Sequence, residues 1–172
     1  EHRVGGLEKW DNTGHVSYDP DNHQKMVELR QQKVDIIAND IPKCKIYGKG
    51  QGDLLVVGWG GTHGAIRSAV ESAQSEGLSI SHLHLRYLNP LPKDLGEILV
   101  KFQKVMIPEL NLGQLAMIIR SKFLVNAISF SKVQGKPFTQ TEVYHKITEL
   151  IIKILPIKKE QIFDSEEELM ML

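Results

Sequence analysis

A glycine-rich segment is the first candidate for chemistry. Residues 53–70 read DLLVVGWGGTHGAIRSAV, so an apolar run ends in a turn and an amphipathic segment follows. In a nucleotide-binding βα unit, such a turn lets the backbone approach a phosphate, which the N–H groups at the start of the helix bind. Gly58, Gly60, Gly61 and Thr62 are therefore the candidate cofactor-binding residues.

This turn departs from the dinucleotide fingerprint at two points. His63 stands where the third glycine of G-x-G-x-x-G is required, and Gly64 comes one residue later. Arg86, rather than an acid, follows the next apolar run, where a ribose-binding carboxylate is expected. The plainer alternative, which we favour, is that the glycines serve only the turn between a strand and a helix.

Histidine and cysteine residues are the next candidates. His82 and His84 are two positions apart, so on a strand they share one face and could supply two metal ligands. A third ligand is not evident, and we expect both side chains to pack or form hydrogen bonds and the chain to hold no metal. Cys44 is the only cysteine, and one thiol cannot form an intrachain disulfide or hold an iron–sulfur cluster. We expect it to be buried or half-buried.

Polar residues follow a strand in VMIPELNLGQLAMIIRSKF, residues 105–123. Glu109, Asn111 and Gln114 should lie at the carboxyl edge of the sheet, where open α/β folds place ligands. Two interpretations remain open here, helix capping by the amides or contact with a partner through Glu109. With Arg86 and Asn89, which also follow an apolar strand, these are the candidate interface residues.

From residue 43 onward the pattern alternates between short strands and helices, which predicts an α/β fold with a mostly parallel sheet covered on both faces. The predicted strands are KCKIY (43–47), DLLVV (53–57), LSISHLHLRY (78–87), KVMIPEL (104–110) and VNAISF (125–130). The first alternates charged and apolar residues like an edge strand. Only five residues separate it from the second, so if these two strands pair they must be antiparallel.

Apolar stripes mark the helices between these strands. Their members are Ala65, Ile66, Ala69, Val70 and Ala73; Leu95, Ile98, Leu99 and Phe102; Leu112, Leu115, Ala116, Ile119 and Phe123; and Val143, Ile147, Leu150, Ile151 and Ile154. Capping-box chemistry is predicted for Asn111 with Gln114 and for Thr139 with Glu142. An earlier helix is predicted over residues 18–40, with Asp19 as N-cap, Pro20 at the first position and a stripe of Met26, Leu29, Val34 and Ile37.

Composition narrows the class of protein. The 172 residues carry 21 basic and 21 acidic side chains, and a neutral chain lacks the electrostatic footprint of a nucleic-acid-binding domain. No apolar run approaches the ~20 residues needed to cross a bilayer, so we expect no membrane partner and a cytoplasmic location. Because the chain begins at Glu1 rather than Met, we expect a fragment of a longer protein.

Several stretches together identify a family. The chain resembles the C-terminal part of the alpha subunit of 2-oxoacid:ferredoxin oxidoreductases, in particular the 2-oxoglutarate (ketoglutarate) enzymes. The resemblance runs collinearly over residues 1–150 and not into the segment beyond Leu155. It is carried by RVGGLE (3–8), GHVSYDPDNHQKMVELRQQK (14–33), GDLLVVGWGGTHGAIRSAV (52–70), HLHLRYLNPLP (82–92), PELNLGQLAMIIRSKF (108–123) and KVQGKPF (132–138).

The resemblance implies an enzyme that oxidatively decarboxylates a 2-oxoacid with coenzyme A and passes the electrons to ferredoxin. The cofactors implied for the whole complex are thiamine diphosphate, Mg and iron–sulfur clusters, and this fragment is expected to bind none of them. The implied partners are an upstream pyrimidine-binding domain of the same subunit, a thiamine-diphosphate-binding beta subunit, and ferredoxin through other subunits. The implied fold is that of the transketolase C-terminal domain, a three-layer α/β/α sandwich whose five-stranded sheet has one antiparallel edge strand.

The resemblance also implies a division of the chain. Residues 1–42 are expected to be a connector and helix leading in from a missing N-terminal domain, residues 43–155 the transketolase-C-like domain, and residues 156–172 a tail. The thiamine-contacting residues of the family lie outside this span, so no catalytic residue is carried over and the isolated chain is expected to be inactive. The domain would serve assembly. The alternative is a self-contained nucleotide- or coenzyme A-binding domain that uses the Gly58–Gly64 turn.

Overall fold

The computed structural model describes residues 6–152 of the chain. These residues fall into two compact units, one formed by residues 6–42 with Tyr87–Lys93 and the other by Lys43–Arg86 with residues 94–152. The predicted tail and Ile154 lie outside the described residues.

The first unit is built around helix α1, Pro20–Ile36, which a 3₁₀ turn, Ile37–Asn39, extends. The predicted start of the helix is confirmed, because Asp19 Oδ1 accepts a hydrogen bond from the Asn22 N–H at 2.8 Å and Pro20 is the first helical residue. The preceding segment is tied to the helix by Glu8, which accepts two hydrogen bonds from the Arg30 guanidinium. Those bonds, more than any other contact, lower the pKa of Glu8 to about 2.

The predicted apolar stripe of α1 is only partly covered, because Met26 and Val34 are half-buried. Leu29 and Ile37 are exposed, and Asn22 is the buried residue of the helix. Asn22 is buried because its side-chain amide donates a hydrogen bond to the Lys9 carbonyl at 2.9 Å. The helix therefore contacts its own unit through polar groups, and its apolar side chains contribute little to a core.

The second unit contains a five-stranded sheet in the order β1-β3-β2-β4-β5. Its strands are β1 (Ile46–Tyr47), β2 (Gly52–Trp59), β3 (Ile80–Leu85), β4 (Phe102–Glu109) and β5 (Ala127–Ser131). Strands β2 to β5 pair in parallel, whereas β1 pairs antiparallel with β3. The predicted fold, a mostly parallel sheet with one antiparallel edge strand, is confirmed.

The sheet decides which strand the edge strand pairs with, a question that the sequence left open. The short link between the first two strands suggested that they could pair with each other, but β2 already has β3 and β4 as parallel neighbours. Strand β1 therefore joins the outer side of β3, with Ile46 opposite Leu83 and Tyr47 opposite His82.

Helices cover both faces of this sheet. They are α2 (His63–Ser75), α3 (Leu95–Leu99), α4 (Gln114–Phe123) and α5 (Gln140–Ile152). Helices α2 and α5 pack on the face of β2 that carries Leu54 and Val56. Strand alternation turns Leu55 and Val57, both fully buried, to the other face, where α3 and α4 contact β4.

Most predicted helical stripes are confirmed, with exceptions at Leu112 and at Phe102, which is buried but is the first residue of β4 rather than part of α3. The core-facing residues of α2, α3 and α5 are buried, and so are Leu115, Ala116 and Ile119 of α4. Leu112 is 78% exposed because α4 begins only at Gln114, so Leu112 belongs to the loop before the helix. Among the helices of residues 6–152, none has the length and apolar character needed to cross a membrane.

Candidate functional site at the carboxyl edge of the sheet

Three parallel strands deliver the candidate residues to one edge of the sheet. Strands β2, β3 and β4 end at Trp59, Leu85 and Glu109. Because the three strands run in the same direction, the segments that follow them meet at the same edge. The structure thus places the glycine turn and the Glu109 segment at neighbouring positions, and Glu109 lies at the carboxyl edge as the sequence predicted.

Glu109 lies in the interior and is 0% exposed. Its carboxylate oxygens accept four hydrogen bonds, all from N–H groups: Oε1 from the Trp59 indole (3.2 Å), the Asn111 amide (3.1 Å) and the Leu115 backbone (3.0 Å), and Oε2 from the Ala116 backbone (3.0 Å). All four partners are N–H donors, so both carboxylate oxygens act as hydrogen-bond acceptors. Its negative charge is well placed beside the first N–H groups of α4.

These bonds correct the hypothesis that Glu109 contacts a partner. The Glu109 side chain has no exposed surface and makes four hydrogen bonds within its own domain, so it presents no atom to a partner. Capping by Asn111 is observed, since Asn111 Oδ1 accepts from the Gly113 N–H at 2.7 Å and from the Gln114 N–H at 3.3 Å. The residue that caps the first turn of α4 from inside is Glu109, with Asn111 beside it.

The glycine turn has a packing explanation at its first position. A Cβ on Gly58 would lie 2.5 Å from Ile66 Cδ1 of α2 and 3.0 Å from Thr62 Oγ1, so a larger residue there would force the Ile66 side chain to move and would crowd Thr62. Thr62 is also occupied, because its hydroxyl accepts from the Trp59 N–H (3.2 Å) and donates to the Trp59 carbonyl (2.8 Å). Gly60 has a φ of +57°, a conformation that glycine adopts readily, and Gly61 meets open space. These contacts account for the turn by local structure, and ligand binding here remains a hypothesis.

The remaining interface candidates are exposed. Arg86 is exposed just after β3 in the second unit, whereas Asn89 is exposed in the first unit. Gln114 is exposed at the start of α4. These three side chains therefore stay available for contacts, unlike Glu109.

Cys44 is not an activated nucleophile. Its backbone N–H donates to the Asp94 carboxylate, with the shorter distance at 3.0 Å, and its side chain is half-buried. Burial and the nearby Asp94 charge raise the pKa of the Cys44 thiol to about 12. At neutral pH the side chain is therefore an unreactive thiol.

A third histidine joins the pair on β3. The ring of His63, the first residue of α2, lies 5.4 Å from that of His82 and 4.8 Å from that of His84, centroid to centroid. The expected sharing of one strand face is confirmed, because the His82 and His84 rings lie 5.9 Å apart. Sequence reasoning missed His63 as their neighbour. The sequence did hold a signal for this contact. His63 lies in the turn between β2 and α2, and the helix that starts there packs beside β3.

The histidine cluster, His63 with His82 and His84, holds two ring nitrogens without a hydrogen-bond partner, His82 Nε2 and His84 Nδ1, both shielded from solvent. Burial lowers the pKa of His82 to about 3, helped by the charges of His63, His84 and Arg67. Burial also lowers the pKa of His84, and the charges of His63 and Arg86 lower it further. Within residues 6–152, no group of three histidine, cysteine or acidic side chains could hold a metal ion.

Comparison with known proteins places this geometry in a family. The family model described as pyruvate:ferredoxin oxidoreductase core domain II matches residues 52–143. The chain is 46% identical over 144 residues to the 2-oxoglutarate oxidoreductase subunit KorA of Mycobacterium tuberculosis, covering 83% of this chain and 22% of that protein. It is 34% identical over 153 residues to the alpha subunit of 2-oxoacid:ferredoxin oxidoreductase 1 of Aeropyrum pernix, covering 84% and 23%.

Solved structures agree with these sequence matches. The 2-oxoglutarate:ferredoxin oxidoreductase from Magnetococcus marinus, with 2-oxoglutarate, coenzyme A and succinyl-CoA bound, superimposes with a TM-score of 0.79 at 30% identity, covering 88% of this chain and 27% of that one. A split-gene transketolase shares the fold alone, with a TM-score of 0.52 at 15% identity, covering 64% and 41%. The chain thus spans less than a quarter of the length of the two curated relatives, and it belongs to the family of pyruvate:ferredoxin oxidoreductase core domain II.

Proposed function

We propose that this chain is part of the alpha subunit of a thiamine-diphosphate-dependent 2-oxoglutarate:ferredoxin oxidoreductase. The whole enzyme would convert 2-oxoglutarate and coenzyme A into an acyl-CoA and carbon dioxide and reduce ferredoxin with the electrons released. The observation that carries this proposal is the 46% identity to the Mycobacterium tuberculosis subunit over 83% of the chain. The structural match to the Magnetococcus marinus enzyme, which has 2-oxoglutarate bound, supports the same substrate.

The residues present do not fit an iron–sulfur cluster. An iron–sulfur cluster needs several thiolates, and the sequence has one cysteine whose pKa is raised. Thiamine diphosphate, when bound, supplies the electron sink of the reaction. We assign its binding, with Mg, to an upstream pyrimidine-binding domain and a beta subunit, and the clusters to other parts of the complex.

The domain itself would serve assembly. The Glu109 carboxylate fixes the start of α4 against Trp59, and so it holds the loop between β4 and α4 in one conformation. The side chains presented around this rigid edge, Arg86, Gln114 and the exposed Leu112, are suited to contacts with neighbouring domains or subunits. Asn89, in the other unit, is a further contact candidate.

The alternative, a self-contained nucleotide- or coenzyme A-binding domain, has less support. His63 replaces the third glycine of the fingerprint, and Gly58 and Thr62 are explained by packing and capping. Micromolar binding of NAD, NADP or coenzyme A to the chain, measured by calorimetry and lost in Gly60→Val, would favour this alternative.

A domain exchange tests the proposal. The segment of the Mycobacterium tuberculosis subunit that matches this chain is replaced by this chain, and the chimera is purified with the other subunits of that enzyme. We expect assembly and 2-oxoglutarate-dependent reduction of a viologen dye, and no dye reduction by the 172-residue chain alone. The control chimera carries Glu109→Ala, which should assemble poorly because α4 loses its cap. Dye reduction by the chain alone, or a chimera that assembles fully but has no activity, would contradict a non-catalytic role.

A further inference from the structure

The histidine cluster is surrounded by positive charge. Arg67 of α2 and Arg86 after β3 are close enough to lower the pKa of His82 and His84, respectively. Tyr47 of β1 also faces this group, and its ring lies under the Arg67 guanidinium at 2.9 Å from the centroid. Arg67 is also paired with an acid, since the Glu71 carboxylate lies 2.7 Å from Arg67 Nε. Three groups that carry or can gain positive charge, His63, His84 and Arg67, therefore lie near His82, and Arg86 lies near His84.

The buried histidine of this cluster points to an absent acceptor or donor. His82 is 2% exposed, and its Nε2 atom has no hydrogen-bond partner. Buried polar atoms are nearly always paired, so an unpaired one calls for an explanation. In the neutral tautomer that carries its proton on Nε2, this nitrogen is a donor without an acceptor.

The backbone adds a further attraction for negative charge. Helix α2 is 13 residues long and continues directly from a 3₁₀ turn, Gly60–Thr62, so the positive end of the helix dipole lies near His63, its first residue. Its first turn contains no acidic side chain. The Thr62 hydroxyl, the other group that could cap this end, is bonded to Trp59.

We propose that the histidine cluster, together with the start of α2, binds a phosphate-type oxyanion. The anion would lie between the exposed ring of His63 and the half-buried ring of His84, and it would give His82 Nε2 the acceptor that it lacks. Arg86 would supply long-range attraction. The phosphate could be free or could belong to a larger molecule such as coenzyme A. This inference concerns the chain alone and does not depend on the proposed enzymatic role.

Imidazole NMR of the 172-residue chain tests the site. Sulfate is the first probe because its charge is constant between pH 6 and 8, with chloride at equal ionic strength as the control. We expect saturable shifts of the His63, His82 and His84 rings in the millimolar range, and none at the exposed His145. Since anion binding favours the protonated ring, sulfate should raise the pKa of His84 and bind more tightly at pH 6 than at pH 8.

Variants distinguish a specific anion-binding site from non-specific attraction of anions to positive charge. His63→Gln, at an exposed position, should weaken sulfate binding by about tenfold, because a charge-assisted hydrogen bond is lost. Exposed His145→Gln on α5 is the matched control and should leave binding unchanged. Inorganic phosphate and coenzyme A are then compared. If coenzyme A binds tenfold more tightly than inorganic phosphate and is equally weakened by His63→Gln, the phosphate belongs to a larger ligand. If the two bind with equal affinity, the ligand is free phosphate. Shifts that chloride reproduces, or sulfate binding that survives His63→Gln, would overturn the proposal.

Discussion

Replacing Glu109 should destabilise the second unit by an amount that depends on which hydrogen bonds survive. In Glu109→Gln, the amide oxygen can take the place of Oε1, which accepts three bonds. The new NH2 group then faces the Ala116 N–H, where Oε2 had accepted at 3.0 Å. One buried bond is lost and two donors oppose each other, so the free energy of unfolding should fall by about 2 kcal/mol.

Glu109→Ala should cost more, because it removes every acceptor. The Trp59 and Asn111 donors are only partly buried and can turn towards water. The N–H groups of Leu115 and Ala116 are buried, and each unpaired buried donor costs about 1–3 kcal/mol. The expected loss is therefore roughly 4 kcal/mol in total.

Urea unfolding at pH 7, followed by circular dichroism and by tryptophan fluorescence, measures both losses. Glu97→Gln, at an exposed position in α3, is the control and should change the free energy of unfolding by less than about 0.5 kcal/mol. If Glu109→Gln behaves like this control, the carboxylate does not cap α4 and the argument for a rigid edge fails.

Three further changes test other parts of the structure. The pKa of His82 is about 3 in the folded chain and 6.5 ordinarily, so below pH 6.5 the unfolded chain binds more protons and the folded state loses stability. From pH 7 to pH 5 the free energy of unfolding, measured with urea, should fall by about 2 kcal/mol. His82→Gln should remove this pH dependence. Gly58→Ala should cost about 1–3 kcal/mol because its Cβ would meet Ile66, whereas Gly64→Ala, which meets open space, should be neutral or stabilising; thermal unfolding separates the two. Thr139→Ala should cost about 1 kcal/mol, because Thr139 Oγ1 accepts from the Glu142 N–H at 3.2 Å, and retained stability there would argue against the cap.

Much of the fold could be predicted because its signals are local. The capping box of Thr139 and Glu142 is formed in both directions, with the Thr139 N–H donating to Glu142 at 2.7 Å. The buried strand at Leu54–Val57 was read from a continuous apolar run, as expected for a parallel strand covered on both faces. Such features depend on residues within a few positions of one another.

The features that the sequence did not predict depend on distant partners. The neighbour of β1 is β3 because β4, over forty residues later, fills the other side of β2. The apolar periodicity of α1 predicted a stripe of four side chains, but Leu29 and Ile37 are exposed and Asn22 is the buried residue of the helix. Glu109 was correctly placed at the sheet edge, while its burial depends on the Trp59 indole from another strand.

The starts of α2 and α4, the two long helices at this edge, differ in the charge of the side chains beside them. The start of α4 is occupied by the chain's own carboxylate, Glu109, which bonds to its first free N–H groups. The start of α2 has no acid in its first turn, and His63, His82 and His84 lie beside it instead. An anion from outside the chain therefore meets a filled position at α4 and a basic one at α2, so any ligand of this edge should be sought on the β3 side of the sheet.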